Sequence, residues 1–139
     1  MIEFYSEANF KLEGEKRYSE WIEEVIYSEQ KTVENITYIF CDDEYLHKIN
    51  VEYLHHDTLT DIITFDYSVG NALQADVFIS EQRVRENALD FNVSFEEELR
   101  RVMIHGVLHL CGYKDKTPDE SSRMRGKEEE KMKLFHVER

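Results

Sequence analysis

The chain has 139 residues, 41% of them hydrophobic, and a formal net charge of −13. That size and apolar content fit one domain, residues 1–139, with a packed core; no apolar run approaches the roughly 20 residues of a membrane span. The acidic balance opposes long-range attraction to polyanions, so binding a nucleic acid would need local basic clusters such as Arg100, Arg101, Lys114 and Lys116.

Residues 1–17 hold no apolar leader, and Cys41 and Cys111 lack metal-pair spacing, so a cytoplasmic protein with reduced thiols is expected. Residues 2–9 read as a first strand. Residues 15–31 read as a helix with a stripe of Tyr18, Trp21, Ile22, Val25 and Ile26. A β-branched strand follows at 36–41, and Asp42 caps a helix running to Tyr53 with Leu46, Ile49 and Tyr53 inward. Strands are predicted at 61–67 and 75–80, and Ser80 caps a helix through Ala88. Ser94 and Glu97 form a capping box for a buried helix that stops at Gly112; Thr117, Pro118 and Glu120 open a last helix reaching Phe135. The core should contain Trp21, Ile22, Val25, Leu46, Ile63, Phe65, Val77, Ile79, Val102 and Leu108. The blocks Glu96–Glu98 and Glu128–Glu130 read as solvated helix faces.

The chemistry concentrates in His105-Gly106-Val107-Leu108-His109-Leu110-Cys111-Gly112-Tyr113-Lys114-Asp115. Two histidines four apart on a helix project from one face. Gly112 can take the left-handed conformation that ends a helix, and Asp115 can then swing back towards the imidazoles. Two nitrogens and a carboxylate oxygen, with a position left open, make a catalytic site for one divalent ion. The competing reading is two core histidines, which would need two buried polar partners. The place of the glutamate in His-Glu-x-x-His peptidases holds Gly106, which counts against peptide hydrolysis. Cys111 falls on the opposite side of a continuous helix and reads as a small core residue.

Three blocks then carry a resemblance: Asn50-x-x-Tyr53; Thr60-Asp61-Ile62-Ile63-Thr64-Phe65 with Ala75-Asp76-Val77-Phe78-Ile79-Ser80; and the histidine string through Tyr113. Together they resemble the YbeY family of metal-dependent endoribonucleases. The resemblance implies an α+β fold of zincin-like type, with a mixed, about four-stranded sheet and a central helix bearing the histidine pair. It also implies zinc on His105, His109 and, by position and chemistry, Asp115. The implied activity is single-strand-type endoribonuclease action in ribosomal RNA maturation, at the 16S 3′ end, and in ribosome quality control. The implied partners are ribosomal RNA and the ribosome or its proteins, with no membrane.

Departures from the family pattern are concrete. Asp115 stands where a third histidine is usual, and Lys114 where aspartate is usual. Leu54 replaces an arginine associated with catalysis, Leu59 a proline and Ala75 a glycine. A metal-bound water is the expected nucleophile. Cations that could meet the phosphate are Lys114, Lys116, His55 and His56, and Asp61 and Asp76 could orient ligands. Asp115 keeps iron or manganese open beside zinc. Two other readings stand next to the ribonuclease: a metal-dependent hydrolase of another substrate, and a non-catalytic ribosome-associated factor with a structural metal.

Overall fold

A computed structural model describes residues 1–55 and 60–135. Among them the order is β1 (Ile2–Ser6), α1 (Glu15–Ser28), β2 (Thr32–Cys41), α2 (Asp43–Leu54), β3 (Ile62–Asp66), β4 (Ala72–Ser80), α3 (Glu81–Phe91), α4 (Phe95–Leu110) and α5 (Pro118–Met132). The four strands form one mixed sheet in the order β1-β2-β4-β3. β1 and β4 flank β2 in parallel, and β3 runs antiparallel along β4. This is the α+β architecture expected, with strand ends shifted by a few residues.

Alternation along the strands separates two apolar layers. Leu73, Ala75, Val77 and Ile79 of β4 face the main core with α1 and α4. Ile63, Phe65 and Phe78 point the other way, where α2 brings Leu46 and Ile49. Trp21, Ile22, Val25, Leu46, Ile63, Val77, Ile79, Val102 and Leu108 are buried as expected. Phe65 is only half-buried, because β3 is the sheet edge and α2 alone covers that side. Tyr53, expected inward, is exposed near the end of α2 and meets only the edge of this layer, at the Phe65 ring.

Helix α4 lies on the main face and meets the sheet most closely at Gly106. A Cβ there would fall 2.9 Å from Ile62 Cδ1 and 3.3 Å from Thr64 Oγ1. A mid-helix glycine costs roughly 0.5–1 kcal/mol against alanine, and here it is the residue that lets backbone approach sheet. α5 packs along α4 and is tied to α1 at a distance in sequence. Trp21 Nε1 donates to the Lys131 carbonyl oxygen at 2.8 Å, and the buried Lys131 ammonium meets Glu29 at 2.9 Å. Burial works against the Glu29 charge, but Lys131, Tyr113 and Lys127 outweigh it and hold the carboxyl below its usual 4.5.

The glycine geometry predicts opposite signs at two positions. Gly106→Val should destabilise by about 1–3 kcal/mol through overpacking. Gly126→Ala, on the exposed side of α5 with nothing within 4 Å of its Cβ, should stabilise by about 0.5–1 kcal/mol. Urea denaturation of both variants checks this.

The Glu29 tie predicts an acid dependence. A depressed carboxyl contributes stability that is present above its unfolded value and lost as pH falls through the folded one. The parent chain should therefore lose stability below about pH 4.5 more steeply than Glu29→Gln, whose neutral-pH stability is lower by about 1–3 kcal/mol. Thermal unfolding of both from pH 7 down to pH 3 reads the difference.

Candidate metal centre

Helix α4 sets the spacing. His105 and His109 stand one turn apart, with ring centroids 4.6 Å apart and planes at 84°. The helix ends in a Schellman turn. Gly112 N–H donates to the His109 carbonyl and Tyr113 N–H to the Leu108 carbonyl, both at 3.0 Å, with Gly112 at φ 105°. The turn does two further things. It places the Tyr113 carbonyl 2.9 Å from His109 Nδ1, and it returns the chain so that Asp115 reaches both rings.

A carbonyl oxygen only accepts, so His109 Nδ1 carries the proton and its Nε2 presents a lone pair. His105 Nδ1 is held the same way by Glu128 Oε2 at 2.6 Å. Both Nε2 atoms then face one another at 3.0 Å, and Asp115 Oδ2 lies 3.2 Å from one and 3.3 Å from the other. Three electron-rich atoms converge with their donors engaged elsewhere. A cation is the species that this arrangement suits, and the set of two imidazoles and a carboxylate is a divalent-metal set. Burial opposes charge on His105, but Glu128, Asp115 and Asp61 together raise its pKa above the usual 6.5.

The other sequence-derived positions divide. Asp61, just before β3, lines the clefts on both sides of the triad, as do His105 and Asp115. Lys116 lines the cleft of about 670 Å³ that also exposes Asn50, Leu54 and Thr60. Lys114 does not join it. Neighbouring side chains of an extended segment point to opposite sides, and Lys114 lines a separate cavity with Glu29 and Arg123. Asp76 lies on the α2 side of the sheet with Tyr45 and Phe78, away from the histidines. His55 is exposed and ends α2 with φ 57°, and His56 and Leu59 lie outside the described residues. Cys111 is half-buried in the cavity with Lys114, its thiol pushed up to about 11 mainly by burial.

Two residues read as solvated are buried. Glu128 is 5% exposed and bridges His105 to Arg101, whose guanidinium sits 3.2 Å away. Its signal was spacing: Met124, Glu128 and Lys131 share one face of α5, and all three are buried. Glu98 is 4% exposed, two turns before His105 on the same face of α4. Burial raises the pKa of both Glu98 and Asp61; Asp61 and Glu128 raise Glu98 further, and Glu128 raises Asp61. The reciprocal bond expected of the Ser94–Glu97 box is not formed; Ser94 Oγ caps Glu97 N–H, whereas the Thr117–Glu120 box is complete.

A mixed sheet crossed by a helix that aims two imidazoles at a carboxylate, between two clefts, is the layout of a protein able to hold one divalent ion beside a substrate. The comparisons specify the family. Residues 3–136 match the family model described as Endoribonuclease YbeY, and the chain belongs to the YbeY family. It is 61% identical over 138 residues to Endoribonuclease YbeY of Flavobacterium johnsoniae, spanning 99% of both chains. It is 61% identical over 137 residues to that of Christiangramia forsetii, spanning 99% of this chain and 96% of the relative. The solution structure of TM1509 from Thermotoga maritima superposes with a TM-score of 0.69 at 28% identity, covering 97% of this chain and 89% of that one.

The Glu128 contact predicts its own consequence. Glu128→Gln keeps the shape but weakens the acceptor that orients His105. Zinc affinity, read by competition with a chromogenic chelator, should fall about 10- to 100-fold with the fold retained.

Proposed function

We propose that this chain is a metal-dependent endoribonuclease acting in ribosomal RNA maturation. The observation that carries the reading is the convergence of His105 Nε2, His109 Nε2 and Asp115 Oδ2 between two open clefts, in a chain that closely matches relatives named as endoribonucleases. His105, His109 and Asp115 would hold the ion, with Glu128 and the Tyr113 carbonyl fixing the ring tautomers. A bound divalent ion acidifies a coordinated water and polarises a phosphoryl oxygen. Zinc suits this ligand set, and iron or manganese also accept two histidines and a carboxylate.

The chain's own groups account for the rest. Lys116, in the cleft with Asn50 and Thr60, sets positive charge beside the triad, where a phosphate group needs it. Leu54, which stands where the family usually has arginine, lines the Lys116 cleft, so Lys116 takes over the cationic role there. Local cations of this kind let a chain of net charge −13 engage RNA. Among the described residues no helix is long and apolar enough to cross a membrane; action on the cytoplasmic ribosome, as a single domain, completes the proposal.

His109→Ala and Asp115→Ala should each lower cleavage of a single-stranded ribosomal RNA segment by more than about 100-fold, beyond the cost of losing an outer hydrogen-bond partner. Asp115→His should tighten the preference for zinc over manganese. Cleavage assays and metal competition on the purified variants check both. Full cleavage by His109→Ala would overturn the reading.

A further inference from the structure

The cleft on the Arg101 side of the triad holds about 520 Å³, within the roughly 300–1,000 Å³ of small-ligand sites. Its lining is mixed: Ile62, Val102 and Met124 supply apolar surface among carboxylates and the guanidinium groups of Arg101 and Arg125. Its rim carries Phe91, an aromatic ring left 62% exposed at the end of α3. Glu98 lines it while only 4% exposed, and no hydrogen bond or ion pair among the described residues fixes its carboxylate. Arg101 attracts Glu98 through space, but that guanidinium bonds Glu128. Asp61 adds a second carboxylate to the same cleft.

A buried carboxylate without a donor, as Glu98 is, calls for a ligand that supplies one. Glu98 and Asp61 do not join the one group of residues placed to share a metal ion among the described residues. The cleft therefore suits N–H donors on the edge of a flat ring, with a face for Phe91.

We propose, resting on the endoribonuclease reading, that this cleft is a nucleobase pocket for guanine, with Glu98 and Asp61 accepting from the base edge and Phe91 stacking on its face. An ionised carboxylate offers two acceptors and no donor. Guanine sets N1–H beside its exocyclic amino group, two donors for two oxygens. Adenine and cytosine set an acceptor nitrogen beside their amino group, and uracil flanks its one N–H with carbonyls. The pocket abuts His105 and Asp115, so it would select the residue next to the scissile phosphate.

The test uses the zinc-loaded full chain and separate NMR titrations with GMP, IMP, AMP, CMP and UMP. All share the phosphate, so differences report the base. GMP should bind at least about tenfold tighter than UMP, and IMP, lacking the exocyclic amino group, should lose part of that preference. Glu98→Gln should cut the GMP preference by about 5- to 150-fold, the equivalent of one good bidentate base contact. Phe91→Ala, at an exposed position, should weaken GMP by a similar factor of about 5- to 150-fold through lost stacking. Equal affinities for all the nucleotides, or a GMP preference that survives in folded Glu98→Gln, would overturn the pocket. Should Glu98→Gln fail to fold by circular dichroism, Phe91→Ala decides, and unchanged GMP affinity overturns it. RNA cleavage by the same preparation separates the two proposals. Cleavage without base preference removes the pocket alone, and selective GMP binding without cleavage removes the catalytic reading alone.

Discussion

The close approach of α4 to the sheet at Gly106 is the constraint on which the site depends. A Cβ at this position would press on Ile62 and Thr64, with Val77 already in contact distance. The residues on either side of that contact are consequently fixed in height and rotation. His105 and His109 emerge beside the start of β3, where Asp61 and the two clefts lie. A glycine between the two ligands is thus a packing element, and its cost in helix propensity is offset by apolar contact along the rest of α4, from Leu99 to Leu108.

The end of α4 supplies the remaining geometry with few residues. The two backbone bonds of the Schellman turn close the helix. Because that turn leaves the Tyr113 carbonyl facing His109 Nδ1, one local motif both terminates the helix and chooses the tautomer of His109. The first histidine is held differently. His105 depends on Glu128, which arrives from α5 and is itself held by Arg101. α5 in turn is anchored to α1 through Trp21, Glu29 and Lys131. The orientation of His105 is therefore a property of three packed helices, and that of His109 a property of one turn.

Most of the acidic excess is spread over solvated helix faces, yet Glu98, Glu128 and Asp61 gather beside the histidines. Glu128 has Arg101 and His105 as partners, and its burial is matched by charge-assisted bonds. Glu98 has no such match, which leaves acceptor capacity inside a cleft next to the ligands. Carboxylates outnumber cations in both clefts: Asp61, Glu98, Asp115 and Glu128 stand with Arg101 and Arg125 in one, and Asp61, Asp66 and Asp115 with Lys116 in the other.

Residues close in sequence settled much of this protein without tertiary information. Periodicity marked α1 and the strands, and caps at Asp42, Ser80, Ser94 and Thr117 marked helix starts, because those signals act through bonds spanning three or four residues. The convergence of His105, His109 and Asp115 was legible for the same reason: one helix turn and one glycine turn connect them. Tertiary structure decided what depends on chain segments far apart. Glu128 and Glu98 looked like members of solvated acidic runs, and only the packing of α5 and α3 against α4 buries them. Lys114 and Asp76 looked like site residues, and the direction of an extended segment and the face of β4 turn them away. Local bonding is written into neighbouring residues, whereas burial and the partner of a charge depend on which elements meet, and that is set by the whole core.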